Sequence, residues 1–271
     1  MTFHPAAVLR RSAQSIRHLA GLQHLTPVWN GLRAPYRRLL AQLAGSEGVP
    51  VTVGGYSIRL APDTVSLNWE TVEVDAYHVF VQEIGSLEII YDVGAHFGTY
   101  TLIGLKRGGP GTRVVAYEPC ELTRGYLLRH LRWNGAGDEV LVRAVCCGSS
   151  PGVATFYYKP GLPEGINGLL PEDGLTETRV AVTTLDDEVR ELGLVPSFIK
   201  IDVEGAELDV LEGASQVLAR HRPRLLLSLH PRRLAQAGLD CDTVRQWLTA
   251  RDYQWRLVGE DQEVHVLARP A

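Results

Sequence analysis

Two short runs in this chain carry side chains that packing alone does not call for. The first is Leu87-Glu-Ile-Ile-Tyr-Asp92-Val-Gly94-Ala95-His96-Phe-Gly98, an apolar run that ends in an acid and a glycine turn. The second is Phe198-Ile-Lys200-Ile-Asp202-Val-Glu204-Gly205-Ala-Glu207. Alternate residues of a strand share a face, so Lys200, Asp202 and Glu204 point one way and Ile199, Ile201 and Val203 the other. Three ionisable groups on one face of an inner strand are costly unless they are paired or border a cleft. A local ion-pair cluster, with Glu204 and Glu207 favoured by a helix N-terminus, is the structural alternative. A further apolar run, Leu225–Leu229, ends at His230, and an imidazole suits general-base work near neutral pH.

The first run has the order strand, acid, glycine turn, helix, which is a nucleotide-binding order. It lacks the Gly-Lys-Ser/Thr ending of a phosphate-binding loop, and only Gly98 recurs after Gly94, so no G-x-G-x-x-G is present. Asp92 would repel a pyrophosphate at a helix N-terminus, where anions are wanted. It suits a cofactor that lacks phosphate and carries positive charge, as S-adenosylmethionine does in its sulfonium and ammonium groups. Gly94 is read as letting the backbone approach that ligand. Glu118 ends the next apolar run and is followed by Pro119; a carboxylate there accepts both ribose hydroxyls. The cofactor set is therefore Asp92, Gly94, Ala95, His96, Gly98, Glu118 and Pro119, with Thr123 and Asn134 as secondary candidates.

The elements that must hold these groups follow from periodicity. Val51–Leu60 reads as a hairpin about Gly54-Gly55. A helix is predicted over 68–84. From residue 87, strands over 87–93, 113–118, 140–145, 197–203 and 224–229 alternate with helices over 97–107, 121–133, 186–192, 205–220 and 240–250. Two further β segments, 153–158 and 178–183, flank a Gly/Pro-rich loop, 159–175, a candidate lid containing Asn167 and Gly168. Residues 253–258 and 264–269 are predicted to close the sheet as an antiparallel hairpin. Repeated βα units with nearly continuous apolar strands give an α/β fold, a doubly wound and mostly parallel sheet of seven strands. Such sheets bind ligands beyond the carboxyl ends of their strands.

At 271 residues with a net charge of −4, the chain has the composition of one large globular domain with an extension. Residues 1–46 hold six arginines and no acid, and are read as a basic helical extension; 47–271 form the catalytic domain. The remainder carries 21 basic against 31 acidic residues, which opposes phosphate, so nucleic acid is not expected as a partner. Four scattered cysteines without a CxxC pair exclude a cysteine zinc site or a disulfide scaffold. No apolar run is long enough for a transmembrane segment, and no apolar stretch follows the basic start as in a secretory signal, so a cytoplasmic protein is expected. A homo-oligomer is compatible with the sequence. Trp29, Trp69 and Trp133 are read as packing residues before sugar-stacking ones.

Asp92-Val-Gly-Ala-His-Phe-Gly98, Glu118-Pro119, Thr184-Leu-Asp186, Lys200-Ile-Asp-Val-Glu-Gly-Ala-Glu207 and Leu229-His230 resemble, in order, the FkbM-type S-adenosylmethionine-dependent methyltransferases. The resemblance spans roughly residues 50–230. It implies the Rossmann-like class I methyltransferase sheet and methylation of hydroxyls, often on sugars or natural products. His96 stands where the family usually has Asn, and Ser228 where it often has Glu. The expected reaction is in-line O-methylation of a small molecule. Lys200, Asp202, Glu204 and His230 are the catalytic set: His230 or Asp202 as base, Glu204 orienting, Lys200 holding the acids ionised. No resident metal is expected; a divalent ion on Asp202, Glu204 and His230 is a variant. Rival readings are a non-catalytic scaffold on the same fold, and a nicotinamide oxidoreductase, which the missing glycine fingerprint opposes.

Overall fold

The structure is a computed structural model that describes residues 5–6, 8–9, 35–36, 38–65, 71–160, 167–171, 173–260 and 263–271. Most of the expected N-terminal helices, with Trp29, Trp69 and residues 161–166 of the loop, lie outside the described residues. Helix is found over 38–44.

β1 (Val49–Val53) and β2 (Tyr56–Leu60) pair antiparallel across Gly54-Gly55. Both glycines have positive φ, 55° and 83°, as a two-residue hairpin turn requires. Helix α1 (Val74–Glu83) starts six residues later than predicted. Then follow β3 (Ile89–Val93), α2 (Thr99–Gly108), β4 (Arg113–Tyr117), α3 (Glu121–Trp133) and β5 (Val140–Arg143). After these come β6 (Cys146–Cys147), β7 (Gly152–Tyr158), β8 (Thr176–Thr183) and α4 (Leu185–Leu192). The chain continues through β9 (Phe198–Ile201), α5 (Glu207–Glu212), α6 (Ser215–His221) and β10 (Arg224–Leu229). It ends with α7 (Pro231–Gln236), α8 (Cys241–Thr249), β11 (Tyr253–Glu260) and β12 (Val264–Pro270).

Seven strands form one sheet in the order β5-β4-β3-β9-β10-β12-β11. It is the predicted α/β sheet: β3, β4, β5, β9 and β10 pair in parallel, and β12 enters antiparallel between β10 and β11. The chain builds outward from β3 to β5 and returns on the other side of β3 at β9. The switch point therefore lies between β3 and β9, where Asp92 pairs with Lys200. The two β segments around the loop do not join this sheet; with β6 they make a separate sheet in the order β6-β8-β7.

Side-chain alternation sorts the strands onto two cores. Ile90, Val114, Ala116, Phe198 and Leu226 pack against α1 and α2, whereas Tyr91, Val93, Val115, Tyr117, Ile199, Ile201 and Leu227 pack on the opposite face. On the first face each row turns polar at its carboxyl end: Ile90 gives way to Asp92, Phe198 to Lys200, Leu226 to Ser228. The apolar strand interiors fix the sheet, and their last residues deliver the ionisable groups.

The helix predicted over 205–220 is two helices, α5 and α6, broken at Gly213. A Cβ on Gly213 would lie 2.0 Å from the Gly148 carbonyl oxygen, so backbone packing against the small sheet sets the break. The strand predicted to reach Val203 ends at Ile201, which puts Asp202 and Glu204 in the turn that follows it.

Candidate active site

Gly94 opens the turn after β3 at φ +82°, and a Cβ there would stand 1.8 Å from the Asp202 carbonyl oxygen. The glycine is thus required by protein, because the turns after β3 and β9 touch at this point. Gly94 and Ala95 donate their N–H groups to the Tyr117 carbonyl, which ties the same turn to β4. Asp92 is buried beneath it and accepts the Thr101 hydroxyl of α2 at 2.5 Å. Burial pushes its carboxyl up to about 6, against the pull of Thr101 and Lys200.

Glu118 is buried and almost fully engaged. Its Oε1 accepts Cys120 N–H at 2.9 Å and the Thr123 hydroxyl at 2.8 Å; its Oε2 accepts His96 N–H at 2.8 Å. A carboxylate offers about four lone-pair sites, so room remains for one more donor, on Oε2. Burial raises this carboxyl, opposed by the same three donors. His96 has φ +49° and its ring lies 3.8 Å from that of Phe97. Its backbone N–H is what the Glu118 carboxylate accepts. Gly98 is the N-cap of α2 at φ +79°, and Pro119 accepts Arg124 at 2.8 Å through its carbonyl. Asn134 joins α3 to the hairpin through Arg59 N–H and C=O, away from the turns. Trp133 packs under Gly48. Next to Glu118, a cavity of about 480 Å³ opens between α3 and the small sheet, walled by Cys120, Tyr126, Arg129 and Tyr158.

The second constellation is organised by Lys200, which is fully buried. Its ammonium donates to Asp202 Oδ2 at 3.1 Å and to Ser228 Oγ at 2.6 Å, and sits 4.9 Å over the Tyr100 ring. Ser228 in turn lies 3.0 Å from His265 Nδ1. Burying a lone ammonium costs several kcal/mol, and these contacts offset it. Burial alone would raise Asp202; Lys200 and then His230 overcome it and hold the carboxyl below its ordinary range.

His230 caps β10 and points its ring back across this turn. Nδ1 donates to Glu207 Oε1 at 2.8 Å; the same oxygen accepts Gly205 N–H at 3.0 Å, so it is an acceptor and the ring nitrogen is the donor. Nε2 lies 3.3 Å from Glu263 Oε1 and 3.6 Å from both Asp202 Oδ1 and Glu204 Oε2. Burial disfavours a charged ring, but Glu207, Glu263, Asp202 and Glu204 together hold its proton up to about 11. Glu204 has φ +54° and stands 3.8 Å from Arg233 Nε; burial pushes it up to about 7. Non-glycine residues in this backbone region carry strain of roughly 1–3 kcal/mol, and both turns have one. The segment around Gly168 lies over Glu204, since a Cβ there would come 3.1 Å from the Glu204 Cβ.

Lys200, Asp202, Glu204 and His230 are brought together, and Asp92 and Glu118 stand at the neighbouring strand ends. The sequence reading missed three members of the cluster. Glu263 faces His230 because β12 pairs with β10 at Ser228–His265 and Leu229–Val264. Glu207 was noted only as a helix-terminal acid. Glu73, at φ +49°, accepts the Tyr100 hydroxyl at 2.8 Å and is pushed up to about 7 by burial and by Asp202. No local signal marks Glu73 or Glu263.

With this geometry in hand, relatives are informative. Residues 92–255 match the methyltransferase FkbM domain. The chain is 31% identical over 169 residues to the methyltransferase sdnD of Sordaria araneosa, covering 50% of this chain and 64% of that protein. It is 27% identical over 172 residues to the hexuronic acid methyltransferase AglP of Haloferax volcanii, covering 61% and 68%. A solved FkbM methyltransferase from Methylobacillus flagellatus KT is 25% identical with a TM-score of 0.49, covering 69% of this chain and 44% of that one. The chain thus spans less than two thirds of the first relative and of the solved structure. Among the described residues, no helix is long and apolar enough to cross a membrane.

Proposed function

Because this chain belongs to the FkbM methyltransferase family, we propose that it transfers a methyl group from S-adenosylmethionine to a hydroxyl of a sugar or natural product. The observation that carries the reading is the juxtaposition at the switch point. A nearly satisfied Glu118 and an acid-rich cluster around His230 flank two turns that touch at Gly94 and Asp202. The donor set fits the cofactor: acids at three adjacent strand ends suit a cationic ligand, and Glu118 Oε2 keeps one acceptor site for a ribose hydroxyl. Asp92, Gly94, Ala95, His96, Gly98, Glu118 and Pro119 form that end of the site. When bound, S-adenosylmethionine supplies a methyl on a cationic sulfur, and its loss leaves neutral S-adenosylhomocysteine.

The chain's own groups act on the acceptor. An alcohol is a weak nucleophile, and a positioned base contributes about 10²–10⁴-fold. His230 keeps its proton far above neutrality, so it acts as a cation that orients the acids. Glu204 is the better base: its side chain is 28% exposed, it faces the turn, and its carboxyl titrates at about 7. It takes the acceptor proton as the oxygen–carbon bond forms. Lys200 fixes Asp202, which orients the hydroxyl. The AglP relative, named for a hexuronic acid, makes sugar acids the first acceptors to try.

The test is incubation with methyl-labelled S-adenosylmethionine and a panel of uronic acids, glycosides and polyhydroxylated natural products. A labelled methyl ether, absent with Glu204→Gln, supports the reading. Transfer to nitrogen or carbon acceptors only would replace it, and folded protein that binds no adenosyl ligand would return the scaffold reading.

A further inference from the structure

One ligand atom from each of Asp202, His230 and Glu263 lies within 4.8 Å of the other two, and the three residues are drawn from three separate segments of the chain. Carboxylates alone often gather without a ligand. Here a buried nitrogen is aimed among them: His230 is 8% exposed, and its Nε2 makes no aligned hydrogen bond among the described residues although three carboxylate oxygens stand within 3.6 Å of it. We propose that Asp202, His230 and Glu263 bind one divalent cation, which sits beside the turn where the acceptor hydroxyl is held.

The geometry supports three points. Two ligands about 2.1 Å from an ion stand roughly 3.0–3.4 Å apart at right or tetrahedral angles. His230 Nε2 is 3.3 Å from Glu263 Oε1 and 3.6 Å from Asp202 Oδ1, so these two edges already stand within a few tenths of an ångström of that range, and the two carboxylates lie within 4.8 Å of each other. The second point is the far side of the ring. Metal-bound histidines donate their other N–H to a carboxylate, which fixes the tautomer. His230 Nδ1 donates to the fully buried Glu207 at 2.8 Å, leaving Nε2 to face the acids, and the cation takes the place of the proton that those acids otherwise hold on Nε2, so its binding releases that proton.

The third point is the division of labour among the acids. Asp202 gives Oδ2 to Lys200 and keeps Oδ1 toward His230. Glu204 is near Arg233 and is not a ligand, which leaves it available as a base. Two carboxylates and an imidazole suit Mn²⁺ or Mg²⁺ and leave positions for water or a hydroxyl oxygen. A cation there lowers the pKa of the hydroxyl it holds. That use of the ion rests on the methyl-transfer reading; the binding itself does not.

The experiment titrates Mn²⁺ into chelator-treated full-length protein and follows the free-ion EPR signal. Parallel samples are titrated with S-adenosylhomocysteine by calorimetry. We expect one saturable Mn²⁺ per chain, competed by Mg²⁺, and at least tenfold weaker binding in Glu263→Gln and in Asp202→Asn. Bound Mn²⁺ should also broaden the ring signals of His230 in histidine-labelled protein and leave those of His221 sharp. Absence of saturable binding on folded protein up to millimolar Mn²⁺ overturns the site, as does binding that both substitutions leave unchanged. Adenosyl-ligand binding without Mn²⁺ binding rejects the metal alone; Mn²⁺ binding without adenosyl-ligand binding rejects the methyl-transfer reading alone.

Discussion

Two carboxyl ends of the same sheet are built on opposite terms. At the end of β4, one carboxylate, Glu118, is met by three protein donors within 2.9 Å and needs at most one more. At the ends of β9 and β10, Asp202, Glu204 and Glu263 converge on a single imidazole nitrogen at 3.3–3.6 Å. The first region is finished by folding, with a small gap left for a hydroxyl. The second is over-supplied with negative charge that folding leaves incompletely matched. Preorganised acceptors suit a cofactor that is held the same way in every turnover, whereas unmatched charge suits a place where protons and cations come and go.

The sharpest way to break the comparison is at the contact between the two regions. Gly94→Ala puts a Cβ 1.8 Å from the Asp202 carbonyl at φ +82°. Overpacking and backbone strain together should cost roughly 2–6 kcal/mol. Thermal unfolding should show a drop on the order of 10 °C, with loss of adenosyl-ligand binding and of catalysis together. A variant that kept both would mean the two turns do not depend on each other.

Glu204→Gln should separate the regions. It removes the base, so kcat should fall by about 10²–10⁴-fold while S-adenosylhomocysteine affinity stays within about twofold. An equal loss in both would place Glu204 with the cofactor. Glu118→Gln makes the complementary cut. Either amide orientation points a donor at His96 N–H or at Cys120 N–H. An unsatisfied buried donor costs about 1–3 kcal/mol, so calorimetry should record adenosyl-ligand binding weakened by roughly 10–100-fold.

The smallest effect is in pH dependence. Glu73 titrates at about 7 in the fold against an ordinary 4.5. The folded state therefore holds its proton where the unfolded chain has lost it, and Glu73 subtracts stability as pH rises from about 4.5 through 7. Glu73→Gln keeps an acceptor for Tyr100 and removes that loss. In chelator-treated protein its melting temperature should match wild type near pH 4.5 and exceed it by a few degrees at pH 8. A constant difference across that range would show that Glu73 does not titrate there.

Much of this was legible in the sequence because the decisive groups are local. Asp92, Gly94 and Glu118 follow directly from apolar strand runs, and Lys200, Asp202 and Glu204 come from one short stretch. Local reasoning misjudged ends: it carried β9 to Val203 and fused α5 with α6, since the Gly213–Gly148 backbone contact is a tertiary fact. The protein's own reason for glycine at residue 94 is not local either, because the atom that a Cβ would strike comes from Asp202, far away in the chain. Glu263 and Glu73 stayed invisible for the same reason. Glu263 arrives through an antiparallel pairing in which Ser228 meets His265. Glu263, facing His230 from the neighbouring strand, supplies a carboxylate to the cluster.

The central claim is that the Glu118 end holds an adenosyl cofactor and the His230 end does the chemistry beside it. Thermal unfolding with saturating S-adenosylhomocysteine, S-adenosylmethionine or NAD, in wild type and Glu118→Gln, tests it most directly. A ligand at 100 times its Kd stabilises by about 2.7 kcal/mol, which for a chain of this size is roughly 5–10 °C. The account predicts that shift with the two adenosyl-sulfur ligands, none with NAD, and a reduced shift in the variant. No shift with either adenosyl ligand on folded protein, or an equal one with NAD, would contradict it.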